Sequence, residues 1–308
     1  MKRPRIITIF VLAMSIALSP SNTQAQIKGD LKLVVPPFSS AFATTANEAP
    51  CPPDFYGVPA DQFKACFDYW TKQGKYPVTL SAYQVNDAIY FTGSFQQVAP
   101  RYVRTLMTPQ QLQQYFDEYQ AQGYRPEQKS VLTTANGPLF TVIWVKDNAP
   151  FESRSGMTED QYAAKWKQMR DAGFVNIDIT PYRDDLVATK YSGVWVKRPF
   201  TDYATYSDMT DADYKTKFDQ FAKQGYRVTR FVEYKKLKLV KSATGNGVLP
   251  TFETRYAAIW EKIPGAYYHY YGLTHAQYKA RYDQLAAQGF RLYNVSALND
   301  RVSAIWIK

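Results

Sequence analysis

Two histidines, His269 and His275, are the only imidazoles in the chain, and Asp283 follows eight residues after the second. A histidine beside a carboxylate is the start of a general acid–base pair. The simpler reading is a solvated imidazole beside a capped helix, and the surrounding sequence favours it. No Gly-x-Ser-x-Gly elbow and no Ser-x-x-Lys occurs anywhere, so the common serine nucleophile signatures are missing. His269 and His275 stand six apart, too sparse to make a metal site without further ligands, and Asp184-Asp185 is a lone acidic pair that suits an exposed turn. Gly245-Asn246-Gly247 is half of a dinucleotide fingerprint, but it follows a lysine-rich strand where the fingerprint would open a helix, so it reads as a hairpin tip. No cofactor and no metal is expected, and the chain reads as non-enzymatic.

Two stretches suggest recognition. Lys235, Lys236, Lys238 and Lys241 interleave with Leu237, Leu239 and Val240. A strand there puts Lys236 and Lys238 on one face and Leu237 and Leu239 on the other. This is a basic arm for an anionic partner or, on the more economical account, an edge strand guarded by lysine against aggregation. Tyr267, Tyr268, His269, Tyr270 and Tyr271 run together, and Arg104, Arg154 and Tyr206 occupy places equivalent to Tyr270. Tyrosine and arginine offer flat faces with donors, suited to sugar or peptide recognition. Arg104, Arg154, Tyr206, Tyr268 and Tyr270 are therefore the expected ligand face, with ordinary sheet packing as the competing account.

These residues are positioned by a unit that recurs five times: Val58–Gly74, Met107–Gly123, Met157–Gly173, Met209–Gly225 and Leu273–Gly289. Thr108, Thr158, Thr210 and Thr274 are N-caps, with Pro59 standing in for the first, and each cap is followed fifteen residues later by a glycine. Gln111, Gln161, Asp213 and Gln277 lie three residues after the threonines and complete capping boxes. The closing glycines suit the left-handed position after a helix. A β-like run follows each glycine, then a turn such as Asn136-Gly137, then a return strand carrying Trp144, Trp195, Trp260 or Trp306, with Phe95 in that place in the first unit. A connector rich in aromatics and arginine reads as a short third strand before the next cap. A helix of about four turns with a hairpin cannot bury a core alone. Neighbouring units must supply one, so the expected fold is α+β, a tandem array of five repeats in a curved or ring-like body.

The spans are 1–25 for a leader, 26–50 for a linker, and 51–103, 104–153, 154–205, 206–269 and 270–308 for the repeats, the fourth carrying an extended hairpin at 235–250. Lys2, Arg3 and Arg5 precede apolar Ile6–Leu18, and Thr23-Gln24-Ala25 suits cleavage, the pattern of a secretory signal peptide. The formal net charge is +10, and loss of the leader leaves about +7, mildly basic but interleaved with acids. Nucleic acid is not an expected partner, and no span crosses a membrane in the mature chain. Export to an oxidising periplasmic or extracellular milieu favours a Cys51–Cys66 disulfide.

The openings Met/Leu-Thr-x-x-Gln-Tyr, the closings Gln122–Arg125 and Gln224–Arg227 (Gln-Gly-Tyr-Arg), and Ala-Ile-Trp at Ala258–Trp260 and Ala304–Trp306 resemble the bacterial tandem repeat domain 1 family, a polyglycine-hydrolase-like structural repeat, over about residues 55–308. In fungal polyglycine hydrolases such repeats form a glove-shaped part, helices on antiparallel sheet, ahead of a β-lactamase-type serine hydrolase domain. The chain here ends two residues after Trp306. The resemblance thus implies fold and secretion and carries over no catalytic residue. The expected function is an exported binding or scaffolding module for an extended peptide or glycan, or a structural partner of an envelope protein. The alternative is a secreted hydrolase, or a hydrolase accessory, with an unrecognised site.

Overall fold

The computed structural model describes residues 49–184, 188–241 and 247–308. The expected leader, all of the linker before residue 49, Asp185, Gly245 and Asn246 lie outside the described residues. Five units follow one another, each a connector strand, a helix and a hairpin: β1 (Asp54–Pro59), α1 (Phe63–Lys72), β2 (Lys75–Val85) and β3 (Ala88–Gln97); β4 (Tyr102–Met107), α2 (Pro109–Ala121), β5 (Arg125–Thr134) and β6 (Gly137–Val145); β7 (Phe151–Met157), α3 (Glu159–Asp171), β8 (Val175–Arg183) and β9 (Thr189–Val196); β10 (Tyr203–Met209), α4 (Asp211–Lys223), β11 (Arg227–Lys241) and β12 (Val248–Glu261); β13 (Tyr267–Leu273), α5 (His275–Ala287), β14 (Arg291–Leu298) and β15 (Arg301–Ile307). In every unit the tryptophan-bearing return strand is the middle strand of a three-stranded antiparallel sheet, flanked by the connector strand and the first hairpin strand. Phe95 pairs with Pro77 as Trp144 pairs with Pro126, so it occupies the tryptophan place. Boundaries at 104, 154, 206 and 270 fall inside connector strands that begin at Tyr102, Phe151, Tyr203 and Tyr267.

The helix ends follow from their side chains. Thr108, Thr158, Thr210 and Thr274 each accept a bond from the backbone N–H three residues on, and the side-chain oxygen of the residue there accepts one from the cap's own N–H. Such a cap contributes about 1 kcal/mol. Pro59, however, is not a cap. It has no side-chain oxygen to accept with, it still pairs with Tyr90 in β1, and α1 begins only after Gln62, three residues shorter than its siblings. At the other end Gly123, Gly173, Gly225 and Gly289 take φ between +79° and +83°. Tyr124, Phe174, Tyr226 and Phe290 then bond back to the carbonyls of Tyr119, Met169, Phe221 and Leu285 at 2.9–3.0 Å, completing Schellman caps. The lysine two residues after each tryptophan lies over that same aromatic ring: Lys146 on Tyr124, Lys197 on Phe174, Lys262 on Tyr226 and Lys308 on Phe290, at 5.5–5.9 Å. In unit one Lys75 takes the aromatic's place and lies over Trp70 at 4.7 Å.

No unit buries its core alone. Each helix is packed between its own sheet and the connector strand of the next unit. Phe116 of α2 meets Phe151 of β7, Trp166 of α3 meets Tyr203 of β10, and Phe218 of α4 meets Tyr267 of β13. Val103 of β4 packs on the cluster that contains Phe63 of α1. The fifth helix has the same relation to the first unit: Tyr278 of α5 packs on Tyr56, and Tyr282 donates to Asp54 at 2.5 Å. Cys51 and Cys66 form a disulfide that ties the entry segment to α1, closing a fifteen-residue loop. A crosslink of that span stabilises by roughly 3 kcal/mol. Among the described residues no helix is long and apolar enough to cross a membrane.

Candidate functional site

The residues that matter most lie on the first hairpin strand of each unit. Five residues after each closing glycine stand Thr79, Gln128, Asp178, Arg230 and Asn294, and seven after it Ser81, Ser130, Thr180, Val232 and Ser296. Nine of these ten are polar, and all ten are buried. A polar face of a strand is ordinarily the wet one. Here it is turned inward, because these five strands lie against one another, β14 beside β2 included.

No ladder of backbone bonds joins these strands between units. Side chains do it, each reaching the preceding unit's backbone. The Gln128 amide accepts from Leu80 N–H at 3.2 Å and donates to Leu80 O at 3.3 Å. Ser130 accepts from Ala82 N–H at 3.3 Å, and Thr180 donates to Lys129 O at 3.0 Å. Thr79 and Ser81 accept from Val295 and Ala297 at 2.9 and 3.2 Å, so the first unit holds the fifth in the same way.

Unit four departs from this pattern. Val232 has no hydroxyl, and Arg230 reaches across instead. Its Nε lies 2.7 Å from Asp178 Oδ1, while Nη2 donates to Lys129 O at 2.5 Å and to Thr180 Oγ1 at 3.3 Å. Arg230 and Asp178 are 3% and 0% exposed on their side chains. Burial raises the Asp178 pKa, with Arg230 and Lys129 pulling it back. Lys129 stands where Leu80, Ile179, Phe231 and Val295 stand in the other units. Burial lowers its pKa to about 8 against the opposing pull of Asp178, and Nζ donates to Ser192 and Ser155 at 3.0 and 3.2 Å. Arg230 Nη1 and Ser296 Oγ are left without a partner.

Above this layer is a cleft of about 630 Å³ to which all five units contribute, from Ser81–Asn86, Ser130–Thr133, Thr180–Arg183, Val232–Lys235 and Ser296–Asp300, with Arg230 on its lining. Tyr83, Tyr182 and Tyr234 border it but are 1–4% exposed. Their hydroxyls are engaged by His275 Nε2 at 3.1 Å, Gly156 N–H at 2.9 Å and Asp208 N–H at 3.2 Å. Burial raises the pKa of Glu233, while Ser303 and the Gly272 N–H, both bonded to it, oppose the shift. A second cleft of about 210 Å³ shares Arg230, but its other charges are largely paired, Arg125 with Glu127 and Arg198 with Glu261, both at 2.5 Å.

The expected site residues lie elsewhere. Arg104, Arg154, Tyr206 and Tyr270 occupy one equivalent position on four connector strands. Three of these pack over or beside their own unit's helix: Arg104 over Tyr115 at 4.7 Å, Tyr206 beneath Lys217 at 4.6 Å, and Tyr270 beneath Arg281 at 4.8 Å. Arg154 is exposed beside Glu152 at 3.6 Å, and Tyr268 stacks on Tyr270 at 6.3 Å. The five are thus spread over units two to five, and only Tyr268 and Tyr270 meet. On the basic arm, Lys236 pairs with Asp208 at 2.5 Å, Lys238 with Glu253 at 3.2 Å, and Lys235 donates to Thr254 at 2.9 Å; Lys241 is exposed. Leu239, Val248, Leu249 and Phe252 beside them are exposed.

The histidines are not a pair with Asp283. His269 is buried in β13 with Nδ1 2.7 Å from Tyr214 Oη, and burial pushes its pKa down to about 3. It is therefore a core residue, not the solvated imidazole expected. His275 opens α5 and meets Tyr83, while Asp283 pairs with Lys279 at 2.6 Å. Among the described residues no three histidine, cysteine or carboxylate side chains gather as metal ligands. The sequence reading missed Asp178, Arg230 and Ser296, although a polar residue at a fixed offset after each glycine was a signal within reach.

A scaffold of helix-plus-three-strand units, each completing its neighbour's core around a shared polar centre, defines a tandem repeat protein. The polyglycine hydrolase-like structural repeat model matches at residues 55–98, 99–147, 148–198, 201–263 and 264–308, and the chain belongs to that family. No curated protein matches it.

Proposed function

We propose that the protein is an exported, non-enzymatic binding module whose five units close into a ring and which holds part of an extended peptide or glycan in the cleft at its centre. One observation carries this reading: the cleft is lined by all five units, whereas the connector positions are dispersed, most of them packed by their own helices. Ring closure is supported by the bonds from Thr79 and Ser81 to the fifth unit and by the packing of α5 on β1. Export is supported by the leader pattern and is compatible with the disulfide. A concave site with a few convergent polar groups is the ordinary form of a ligand site.

The test is a peptide and glycan array probed with three forms of the chain. Leu298 takes the place of Tyr83, Tyr182 and Tyr234 and is half-buried on the lining, so Leu298→Trp, with a ring larger than any of these, narrows the cleft. Retention on the array is expected to fall at least tenfold in Leu298→Trp and to survive in the Tyr268→Ala/Tyr270→Ala double variant. The reverse pattern moves the site to the connector face and removes this reading.

A further inference from the structure

We infer that the floor of the cleft is a carboxylate-binding site and that the ligand is a peptide entering by its C-terminal end; this rests on the cleft being the binding site. The inter-strand bonding explains why donors remain there. In three of the five junctions a serine or threonine hydroxyl of one unit bonds the backbone of the unit before it, through Ser130, Thr180 and Ser81. At the fourth the equivalent residue is Val232, and at the fifth the Ser296 hydroxyl has no partner. Arg230 fills the centre but uses only one edge of its guanidinium, Nε and Nη2, on Asp178, Lys129 O and Thr180. Nη1 is left over, buried on a side chain 3% exposed. Leaving such donors unpaired is costly, most of all for a charged group, and a bound acceptor removes that cost.

Charge and shape select the acceptor. The charged residues on the lining are Arg183, Arg230 and Lys235 against Glu233 and Asp300, one net positive charge with every group ionised, and behind them the buried Lys129 offsets the Asp178 that pairs with Arg230. Asp178 already neutralises one edge of Arg230, so the site suits a single negative charge and not a dianion. Arg230 and Ser296 both lie on the lining, and a guanidinium nitrogen and a hydroxyl can each donate to one oxygen of a carboxylate. A volume of about 630 Å³ also leaves room for several residues beyond the charged end. Tyr83, Tyr182 and Tyr234 are the aromatic side chains on the lining, and their rings are too buried for a sugar to stack on, whereas the half-buried Val85 and Leu298 offer aliphatic walls. This favours a peptide over an acidic glycan.

Calorimetry decides the matter with four probes: N-acetyl-trialanine as the free acid, the same peptide as its C-terminal amide, glucuronate, and inorganic phosphate. The acid is expected to bind at least tenfold tighter than each of the others. Ser296→Ala removes a hydroxyl with no partner in the free protein, so it is expected to leave the melting temperature unchanged and weaken the acid about tenfold. Arg230→Lys keeps the charge beside Asp178, removes Nη1, and is expected to weaken the acid by tenfold or more. Equal binding of acid and amide, or unaltered affinity in Ser296→Ala, overturns the carboxylate assignment, and does so even where Leu298→Trp abolishes array retention and the cleft reading stands. Tighter binding of glucuronate or phosphate than of the peptide acid overturns it in favour of a sugar acid or a free anion. If Leu298→Trp leaves the acid's affinity unchanged, the cleft itself is excluded.

Discussion

Replacing Gly225 by valine isolates the conformational part of a helix stop. Gly225 sits at φ +79°, and a Cβ built there meets no heavy atom within 4 Å. Collision of the Cβ with packed neighbours therefore adds nothing to the substitution's cost, which is chiefly that of holding an L-residue in the left-handed region. That cost is roughly 1–2 kcal/mol, and valine stands at the upper end because its branched Cβ fits the region worst. Asparagine, which visits this region readily, should cost only a few tenths. The Gly225 and Tyr226 N–H groups bond Ala222 O and Phe221 O at 3.1 and 2.9 Å, so relaxing φ would also surrender these bonds. The contrasting site is Gly193, whose φ is ordinary but where a Cβ would lie 2.5 Å from the Trp195 ring and 2.9 Å from Tyr162. Alanine there costs by overpacking, about 1–3 kcal/mol. Thermal melts of Gly225→Val, Gly225→Ala and Gly225→Asn are expected to rank valine lowest and asparagine nearest the parent, with shifts of about 2–4 °C per kcal/mol for a body of this size. An unchanged melting temperature for Gly225→Val, or asparagine as harmful as valine, would refute the left-handed stop as the source of the cost.

Removing the carboxylate of Asp178 by Asp178→Ala strands the Arg230 guanidinium in the interior and is expected to cost about 3–5 kcal/mol in urea titration. A loss below about 1 kcal/mol would show that the pair is hydrated. Acid should weaken the fold through His269, whose folded pKa of about 3 lies below its unfolded value of about 6.5. The unfolded chain then binds the extra proton, so this contribution is intact above about pH 6.5 and is lost as pH falls towards 3, at about 1.4 kcal/mol per pH unit. His269→Gln should flatten the slope of stability against pH over that window, and an identical slope in the variant would assign it to other groups.

Much of the unit was legible because its signals are local. A threonine cap, an N3 glutamine and a glycine at fixed spacing specify a helix without reference to anything distant, and Thr108, Thr158, Thr210 and Thr274 behave as read. Pro59 fails as a cap for an equally local reason, its missing oxygen. A subtler local device escaped notice. Two residues before the cap position of each unit the backbone is left-handed, at Gly57, Leu106, Gly156, Asp208 and Gly272, beside the bulge that bends each connector strand into its helix. Three glycines at one register position were the available sign, obscured by leucine and aspartate at the other two.

The sequence by itself determined the repeat, the threonine-capped helices, the tryptophan strand and the family, because each rests on signals local in the chain. Only the tertiary structure decided which face of the first hairpin strand is buried. Alternation separates Thr79, Gln128, Asp178, Arg230 and Asn294 from the apolar side but does not say whether that polar face meets water or other strands. The answer depends on neighbours about fifty residues apart and on the bonds between Thr79 and Val295 at opposite ends of the described chain. In that assembled centre, Val232 in place of a hydroxyl and Arg230 in place of a short side chain leave Arg230 Nη1 and Ser296 Oγ unpaired on residues that line a shared cleft, a consequence of packing that no single repeat contains.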